Sequence, residues 1–287
     1  MTHLLVPTDF SPESHHAFEV ALQLARRVGA AVTLLHVLEV PEAARFSTFG
    51  GPVSGGGGMD DVFTIQLLQA TKRRLHGLLD EATRLAPSVA VHDMVLTETT
   101  DPAILQAIET QGIDLVVMGA QTHSATEHLL NGSHTEKLVR LAPCPVLTVK
   151  YAVAEFAPRR ILFPSDFAPE ADQAIAGLRQ VQALFPEAEL HLLQVVKTET
   201  EVAAAQARIL AFAQRHDLKH VLPAVATNDN VSSGIATHTR QVQADLLVVA
   251  THGRTGLSRL LHPSIAETVA THVFPPVLTF KLAQEAA

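Results

Sequence analysis

The 287-residue chain is long enough for two domains, and its 47% hydrophobic and 17% charged residues are typical of well-filled cores, which excludes a disordered protein. A net charge of −8 without a basic stripe argues against nucleic-acid binding, and no apolar run reaches the roughly 18 residues that span a membrane. One cysteine, Cys144, excludes an internal disulfide, and the start lacks a basic and apolar leader, so we expect a cytoplasmic protein without a signal peptide.

The first half alternates strand-like and helix-like segments. "HLLVP" and "VTLLHV" are short, apolar runs typical of buried parallel strands. Between them apolar residues recur at helical spacing, and Ser11 followed by Pro12 indicates a helix start. A glycine-rich stretch at about 49–60 is predicted to be a flexible surface insertion. A long helix, strand "AVHDMVL", helix 102–111, strand "DLVVM", helix 134–141 and strand "PVLTV" follow.

The same order of segments occurs twice. "HLLVPTDFSPES" returns as "RILFPSDFAPEA", "DLVVMGAQTH" as "DLLVVATHGR", and "APCPVLTVK" as "VFPPVLTFK". Such repetition indicates a duplicated unit, and strand–helix alternation without hairpin signals predicts a parallel sheet covered on both faces. We therefore predict an α/β protein with two tandem doubly wound domains, residues 1–152 and 158–287, each with a five-stranded parallel sheet.

Ligands of doubly wound sheets bind at the carboxyl ends of the strands, where the strand order reverses. The end of the first strand carries Asp9 in one half and Asp166 in the other. Such a carboxylate could accept hydrogen bonds from ribose hydroxyls, or it could equally cap the following helix. The loop after the fourth strand leads to a helix N-terminus, whose free N–H groups suit phosphate oxygens.

The histidines do not predict a metal site. The chain has 16 of them, but they are scattered, and the adjacent pair His15 and His16 would point to different faces of a helix. Neither an HExxH motif nor a Cys/His ligand spacing occurs. We therefore predict no dedicated metal site.

The paired motifs resemble the universal stress protein family in its tandem form. The segments that carry the resemblance are "PTDFSPES", "DLVVMG", "LLNGSHTEKLV" and "APCPVL", and it extends over nearly the whole chain. It implies a Rossmann-like, adenine nucleotide α hydrolase-like fold in each half. Nucleotide-binding members of the family carry Gly-x2-Gly-x9-Gly-[Ser/Thr] after the fourth strand. The matching positions are Gly119, Thr122, Gly132 and Ser133 in the first half and Ala250, Gly253, Pro263 and Ser264 in the second.

Both loops depart from this pattern. Thr122 places a β-branched side chain where glycine could be needed for a positive φ, and Glu127 adds a negative charge nearby. Pro263 deletes a backbone N–H that could have bound phosphate. The first loop is therefore interpreted as a modified nucleotide-binding loop that retains Gly132 and Ser133 at the helix start.

The resemblance implies that the ligand is ATP or another adenine nucleotide, with Mg²⁺ as an optional companion. Adenine would lie near Val37, ribose near Asp9, and the phosphates on Gly119, Gly132 and Ser133. The full set of candidate binding residues in the first half is Pro7, Thr8, Asp9, His36, Val37, Met118, Gly119, Thr122, Gly132, Ser133 and His134. The set in the second half is Pro164, Ser165, Asp166, Val195, Ala250, His252, Gly253, Arg254 and Ser264.

Three functions are compatible with this sequence. The resemblance favours a non-catalytic cytoplasmic stress-response module regulated by nucleotide. An ATP-independent scaffold, or a protein that binds another ligand, is the alternative because both loops have lost glycines. A weak ATPase ranks last, because no GxxxxGK[ST] loop or catalytic constellation is present. The expected partners are an adenine nucleotide and an unidentified protein, with no nucleic acid and no membrane. "PVLTV" is expected to pair with "PVLTF" in an intramolecular pseudo-dimer. Assembly of several chains into a homo-oligomer is a further alternative.

Overall fold

The computed structural model describes residues 1–39, 57–120, 134–251 and 275–282. The strands are β1 His3–Pro7, β2 Ala31–Val37, β3 Val91–Leu96, β4 Leu115–Gly119, β5 Val146–Val149, β6 Arg160–Pro164, β7 Glu189–Val196, β8 Val221–Thr227, β9 Leu246–Thr251 and β10 Val277–Lys281. The helices are α1 Pro12–Val28, α2 Gly57–Leu85, α3 Thr100–Thr110, α4 His134–Leu141, α5 Ile175–Leu184, α6 Val202–Arg215 and α7 Val231–Gln241. Short 3₁₀ helices precede α5 at Pro169–Ala174 and α6 at Glu199–Glu201.

All ten strands form one sheet, in the order β3-β2-β1-β4-β5-β10-β9-β6-β7-β8. Within each half every pairing is parallel. The two halves have the same strand order when each is followed from its outer edge to the junction between β5 and β10. The predicted doubly wound fold is confirmed. In each half the strand order reverses beside the first strand, which places the crevice of the first half between the carboxyl ends of β1 and β4.

The two halves are joined by the last strand of each. β5 and β10 pair in antiparallel orientation, with Val277 opposite Thr148 and Thr279 opposite Val146. Both threonines are buried, and their hydroxyls donate across the junction to the carbonyls of Val277 and Val146, at 3.3 and 3.1 Å. Because this pairing continues the backbone ladder, neither last strand is left as an open edge toward the other half.

The core is continuous on one face of the sheet and divided on the other. On the first face a single apolar cluster extends from Phe18 in α1 through Phe156 in the connecting segment to Phe212 in α6. On the second face one cluster lies under α3 and α4, and another lies under α7. The shared face therefore makes the two halves one packed body. None of the helices in the described ranges is long and apolar enough to cross a membrane.

Helix α1 has strong local signals at both ends. The Ser11 side chain caps its start by accepting the Ser14 N–H at 3.2 Å, and a proline lies in the first turn. Gly29 ends it in the left-handed conformation, with φ of 70°. Acidic Glu13 near the start and two arginines in the last turn suit the helix dipole. The first turn of α1, which faces the crevice, is thereby held in one place.

Two predicted boundaries were wrong. Helix α2 already begins at Gly57, so the predicted flexible insertion is too long at its C-terminal end, and its earlier part, 49–56, lies outside the described residues. Extending an existing helix costs little, which lets it include residues of low helix propensity. Helix α3 begins at Thr100, two residues before the predicted start, because Pro102 fits within a first turn.

Phenylalanines fill the second half of the core more fully than the first. Phe212 of α6 is completely buried, and its ring lies 5.3 Å from that of Phe167. Phe167 in turn meets Phe163 of β6 at 6.3 Å between ring centroids. This edge-on cluster couples α6 to the turn that follows β6.

Replacing Phe212 with alanine should lower the free energy of unfolding by about 3–5 kcal/mol, because it leaves a cavity inside this cluster. Urea denaturation monitored by circular dichroism measures the loss. Leu210→Ala is the matched control, since Leu210 is half exposed on the same helix, and its effect should stay within about 0.5 kcal/mol. Equal losses in the two variants would contradict the assigned packing.

Candidate functional site

The first half contains a crevice of about 430 Å³ at the carboxyl ends of β1, β2 and β4. The starts of α1, α3 and α4 complete its walls. Its lining residues are Pro7, Thr8, Asp9, Ser11, Glu13, Ser14, Leu35, His36, Val37, Thr100, Ile104, Met118, Gly119, His134 and Thr135. The volume lies within the roughly 300–1,000 Å³ of small-molecule sites.

Many of the residues predicted from sequence meet here. The predicted residues that line the crevice are Pro7, Thr8, Asp9, His36, Val37, Met118, Gly119 and His134. Thr122, Gly132 and Ser133 lie outside the described residues. The sequence did not identify Ser11, Glu13, Ser14, Leu35, Thr100, Ile104 and Thr135 as lining residues. Most of these belong to helix starts, and a systematic assignment of helix N-termini to the switch point would have found them.

The turn after β1 is a compact polar unit. The Thr8 hydroxyl accepts the Phe10 N–H at 3.0 Å, and an Asp9 carboxylate oxygen accepts the Ser11 N–H at 2.9 Å. These bonds hold Phe10 at a φ of 64°, which side chains other than glycine rarely adopt. Asp9 thus supports the turn, whereas Ser11 is the N-cap of α1.

Asp9 is also exposed to the crevice as a carboxylate. Burial alone would raise its pKa, but hydrogen bonds from Ser11 and Ser14 outweigh that effect and hold the pKa below its usual value. At neutral pH the group is therefore ionised and accepts hydrogen bonds. It can support the turn and bind hydroxyl donors at the same time.

His36 and Phe10 form a tilted aromatic pair beside the crevice. The Nδ1 of His36 lies 2.7 Å from the Thr8 carbonyl oxygen, and since a carbonyl can only accept, Nδ1 carries the proton. The Phe10 ring lies 4.6 Å from the imidazole, and the Arg74 guanidinium lies 4.1 Å above Phe10 on its exposed side. The cation–π contact of Arg74 stabilises the position of the Phe10 ring. Phe10 in turn packs against the His36 ring.

The opposite side of the crevice is formed by the start of α4. His134 begins α4, and its Nδ1 contacts the Asp101 carboxylate, which also binds Lys137 Nζ at 2.9 Å. Burial opposes ionisation of Asp101, yet bonds and charges from His134 and Lys137 hold its pKa below the usual value. Asp101 thereby orients the imidazole at the helix start. Asp9 and Glu13 supply negative charge at the other side.

The contact between Gly119 and α1 closes the floor of the crevice. A Cβ on Gly119 would lie 2.5 Å from the Glu13 carbonyl carbon and 2.6 Å from the Ser14 nitrogen. Both are backbone atoms, so no side-chain rotation could relieve the clash. The end of β4 and the first turn of α1 can touch only because residue 119 lacks a side chain.

The second half repeats the turn that follows its first strand. Asp166 accepts the Ala168 N–H at 3.1 Å, and Phe167 has a φ of 52°, as in the first half. Ala168 stands where the first half has Ser11, so the helix lacks a side-chain cap and begins as a 3₁₀ turn. Phe167 turns into the buried cluster of Phe212.

The counterpart residues in the second half line much less space. Within the described part of the chain, Pro164, Ser165, Ala171 and Ala250 border a cavity of about 10 Å³. Val195 packs against Gly234, at 2.7 Å from where a Cβ would lie. His252, Gly253, Arg254 and Ser264 lie outside the described residues. Among described residues, therefore, only the first half assembles the predicted binding positions around an open space.

Gly119→Ala should lower the free energy of unfolding by about 1–3 kcal/mol, because the backbone of the first turn of α1 must move. Hydrogen exchange should become faster in that turn. Ala250→Gly, at the repeat position of β9, is the comparison, and it should cost about 1 kcal/mol or less. An alanine at 119 with unchanged stability and exchange would contradict the close contact.

Comparison with known proteins agrees with this architecture. The family model described as "Universal stress protein family" matches twice, at residues 1–150 and 158–281. Universal stress protein A homolog 1 of Coxiella burnetii is 25% identical over 147 residues, covering 51% of this chain and 94% of the relative. A universal stress protein of Methanocaldococcus jannaschii is 28% identical over 148 residues, covering 51% of this chain and 81% of the relative.

A solved structure matches the whole chain. The crystal structure of a universal stress protein from Archaeoglobus fulgidus has a TM-score of 0.72 at 18% identity, and the match covers 99% of this chain and 97% of that one. At this identity the likeness concerns the fold alone. The two family-model matches extend over most of the chain, so the chain belongs to the universal stress protein family and carries the family sequence twice in tandem.

Proposed function

We propose that this protein is a cytoplasmic, non-catalytic stress-response module that binds one ATP or related adenine nucleotide per chain, in the crevice of its first half. The observation that carries the proposal is a crevice of about 430 Å³ at the switch point of the sheet, with the Asp9 carboxylate on one side and the start of α4 on the other. A nucleotide has a matching polarity, because its hydroxyls are donors and its phosphates are anionic.

The acidic side suits the ribose. Asp9 is an ionised acceptor beside the crevice, and Thr8 and Ser14 hydroxyls lie behind it, 3.1 Å apart. The His36 ring, packed against Phe10, offers an aromatic surface next to Val37, where an adenine could stack. Because Nδ1 of His36 is engaged by the Thr8 carbonyl, Nε2 is the nitrogen available to a ligand.

The opposite side suits phosphate. His134 and Thr135 occupy the first turn of α4, where free backbone N–H groups favour anions. Asp101 holds His134 and Lys137 together at this helix start. Since Asp101 balances the charge of Lys137, the backbone N–H groups of this turn are the donors that would contact a phosphate.

The duplicated half supports assignment to a single site. Ala250 replaces Gly119, Ala168 replaces Ser11 and Ala171 replaces Ser14 at the repeat positions, so the second half lacks both serine hydroxyls. Its described residues border about 10 Å³ of space at this position. We therefore assign the second half a structural role. The antiparallel pairing of β5 with β10 supports the proposal that the chain acts as an intramolecular pseudo-dimer.

A second candidate is a scaffold that binds a ligand without phosphates. The lining residues in the described part of the chain include Asp9 and Glu13 but no lysine or arginine. Two carboxylates would weaken the binding of a polyphosphate and favour a neutral or cationic ligand. Absence of any ATP-dependent thermal shift at millimolar concentration would select this candidate, and phosphate release above a heat-treated control would instead reveal an ATPase.

Asp9→Asn should weaken ATP binding by roughly 10- to 100-fold, the value of one hydrogen bond to a charged group. Asparagine keeps the oxygen that accepts the Ser11 N–H, so the turn and the melting temperature should be preserved. Titration calorimetry measures the affinity and the number of sites. Asp166→Asn is the matched control at the repeat position and should bind like the parent, with one site per chain. The reverse result, weakening by Asp166→Asn alone, would refute the assignment to the first half.

His134→Ala should lower the affinity for ATP by roughly tenfold or less, because the imidazole is largely exposed. Affinity for adenosine, which has no phosphates, should stay unchanged. Parallel titrations of the two ligands therefore separate the phosphate end from the ribose end. Equal weakening of ATP and adenosine would mean that His134 does not lie near the phosphates.

A further inference from the structure

We propose that His15, Glu19 and Glu81 form a binding site for a divalent transition-metal ion, with Zn²⁺ as the best chemical match. The site lies between α1 and α2, on residues that do not line the nucleotide crevice. Its role would be to cross-link the two helices of the first half.

The three side chains converge from two helices. His15 and Glu19 are four residues apart on α1, so they share one face of that helix. Glu81 reaches them from α2, and its carboxylate oxygens lie 2.9 and 3.0 Å from the Nε2 of His15. One ligand atom of each residue lies within 4.8 Å of those of the other two. In a tetrahedral zinc site the ligand atoms are about 3.3 Å apart, so small side-chain adjustments suffice.

The charge of this cluster calls for a cation. Two carboxylates face one imidazole, and no lysine or arginine of the described residues forms an ion pair with Glu19 or Glu81. A proton on His15 neutralises only one of the two negative charges, whereas a divalent ion neutralises both. The cluster is half-buried, with 38% of the His15 side chain and 22% of the Glu81 side chain exposed. An ion can therefore enter from solvent and still be partly shielded from it.

The duplicated half provides an internal comparison. Asp172 stands at the repeat position of His15, and it accepts hydrogen bonds from Arg215 and from Nε2 of His216, at 2.5 and 2.8 Å. At the repeat position of Glu19 the second half has Ala176. There, a carboxylate of the 3₁₀ helix is already paired with an arginine at the end of α6. Among the described residues of the first half, Glu81 contacts His15 instead.

The donor set selects the kind of ion. An imidazole nitrogen disfavours Mg²⁺ and Ca²⁺, which prefer oxygen donors, and suits Zn²⁺, Co²⁺ and Ni²⁺. One nitrogen and two carboxylates leave a fourth position for water, as in zinc sites with three protein ligands. The crevice is also lined by two histidines and two carboxylates, but among the described residues only His15, Glu19 and Glu81 bring three ligand atoms within 4.8 Å of one another.

Equilibrium dialysis of the full chain, stripped with EDTA and free of nucleotide, tests the site with Zn²⁺, and Co²⁺ serves as a spectroscopic probe. The variants are His15→Gln, Glu19→Gln and Glu81→Gln, each of which removes one ligand at a partly exposed position. His76→Gln is the matched control because it removes an exposed histidine from α2 outside the cluster. Melting curves in EDTA establish that every variant is folded.

We expect one tight Zn²⁺ per parent chain, visible absorption of bound Co²⁺, and a rise in melting temperature with Zn²⁺. Each cluster variant should lose more than the roughly 10- to 100-fold in affinity that removal of an outer-shell partner costs, and His76→Gln should bind like the parent. If His15→Gln fails to fold, Glu19→Gln gives the same test. Retention of the tight ion and the Co²⁺ spectrum by a folded cluster variant, or equal weakening by His76→Gln, would overturn the proposal.

Discussion

The contact between Gly119 and the backbone of Glu13 and Ser14 is the constraint on which the crevice of the first half depends. It lets the first turn of α1 lie directly on the end of β4, and the Ser11 cap makes that turn regular. The polar turn after β1 leads directly into this first turn of α1, and the Asp9 carboxylate in it accepts the Ser11 N–H. A crevice forms above this floor because the walls come from three helix starts and not from long side chains.

The second half has the same turn geometry, but its side chains serve packing. Phe10 is only partly buried and contacts His36 and Arg74, whereas Phe167 is buried in the cluster with Phe212. Loss of the Ser11 cap at Ala168 accompanies a 3₁₀ start. The two halves thus share the turn but differ in the side chains that surround it. The apolar core is continuous across both halves on one face of the sheet, so packing in the second half also stabilises the first half.

Much of this could be predicted from the sequence, for physical reasons. Buried parallel strands are short apolar runs, and the internal repeat predicted two equivalent sheets, whereas the pairing of the last strands was expected from the family resemblance. Asp9 and Gly119 were predictable because both end such strands at the switch point. Thr100 and Glu81 were not, since tertiary packing brings them to the crevice and to His15 from distant helices. The stack of Arg74 on Phe10 likewise depends on a helix crossing that no local pattern encodes.

The most direct test of the central claim is photolabelling with 8-azido-ATP, followed by mass spectrometry of the labelled peptides, with and without excess ATP. An adenine held near His36 and Val37 predicts labelling confined to peptides of residues 1–152 and abolished by competing ATP. Labelling of peptides from residues 158–287 to the same extent, or labelling that ATP does not displace, would contradict a single nucleotide site in the first half.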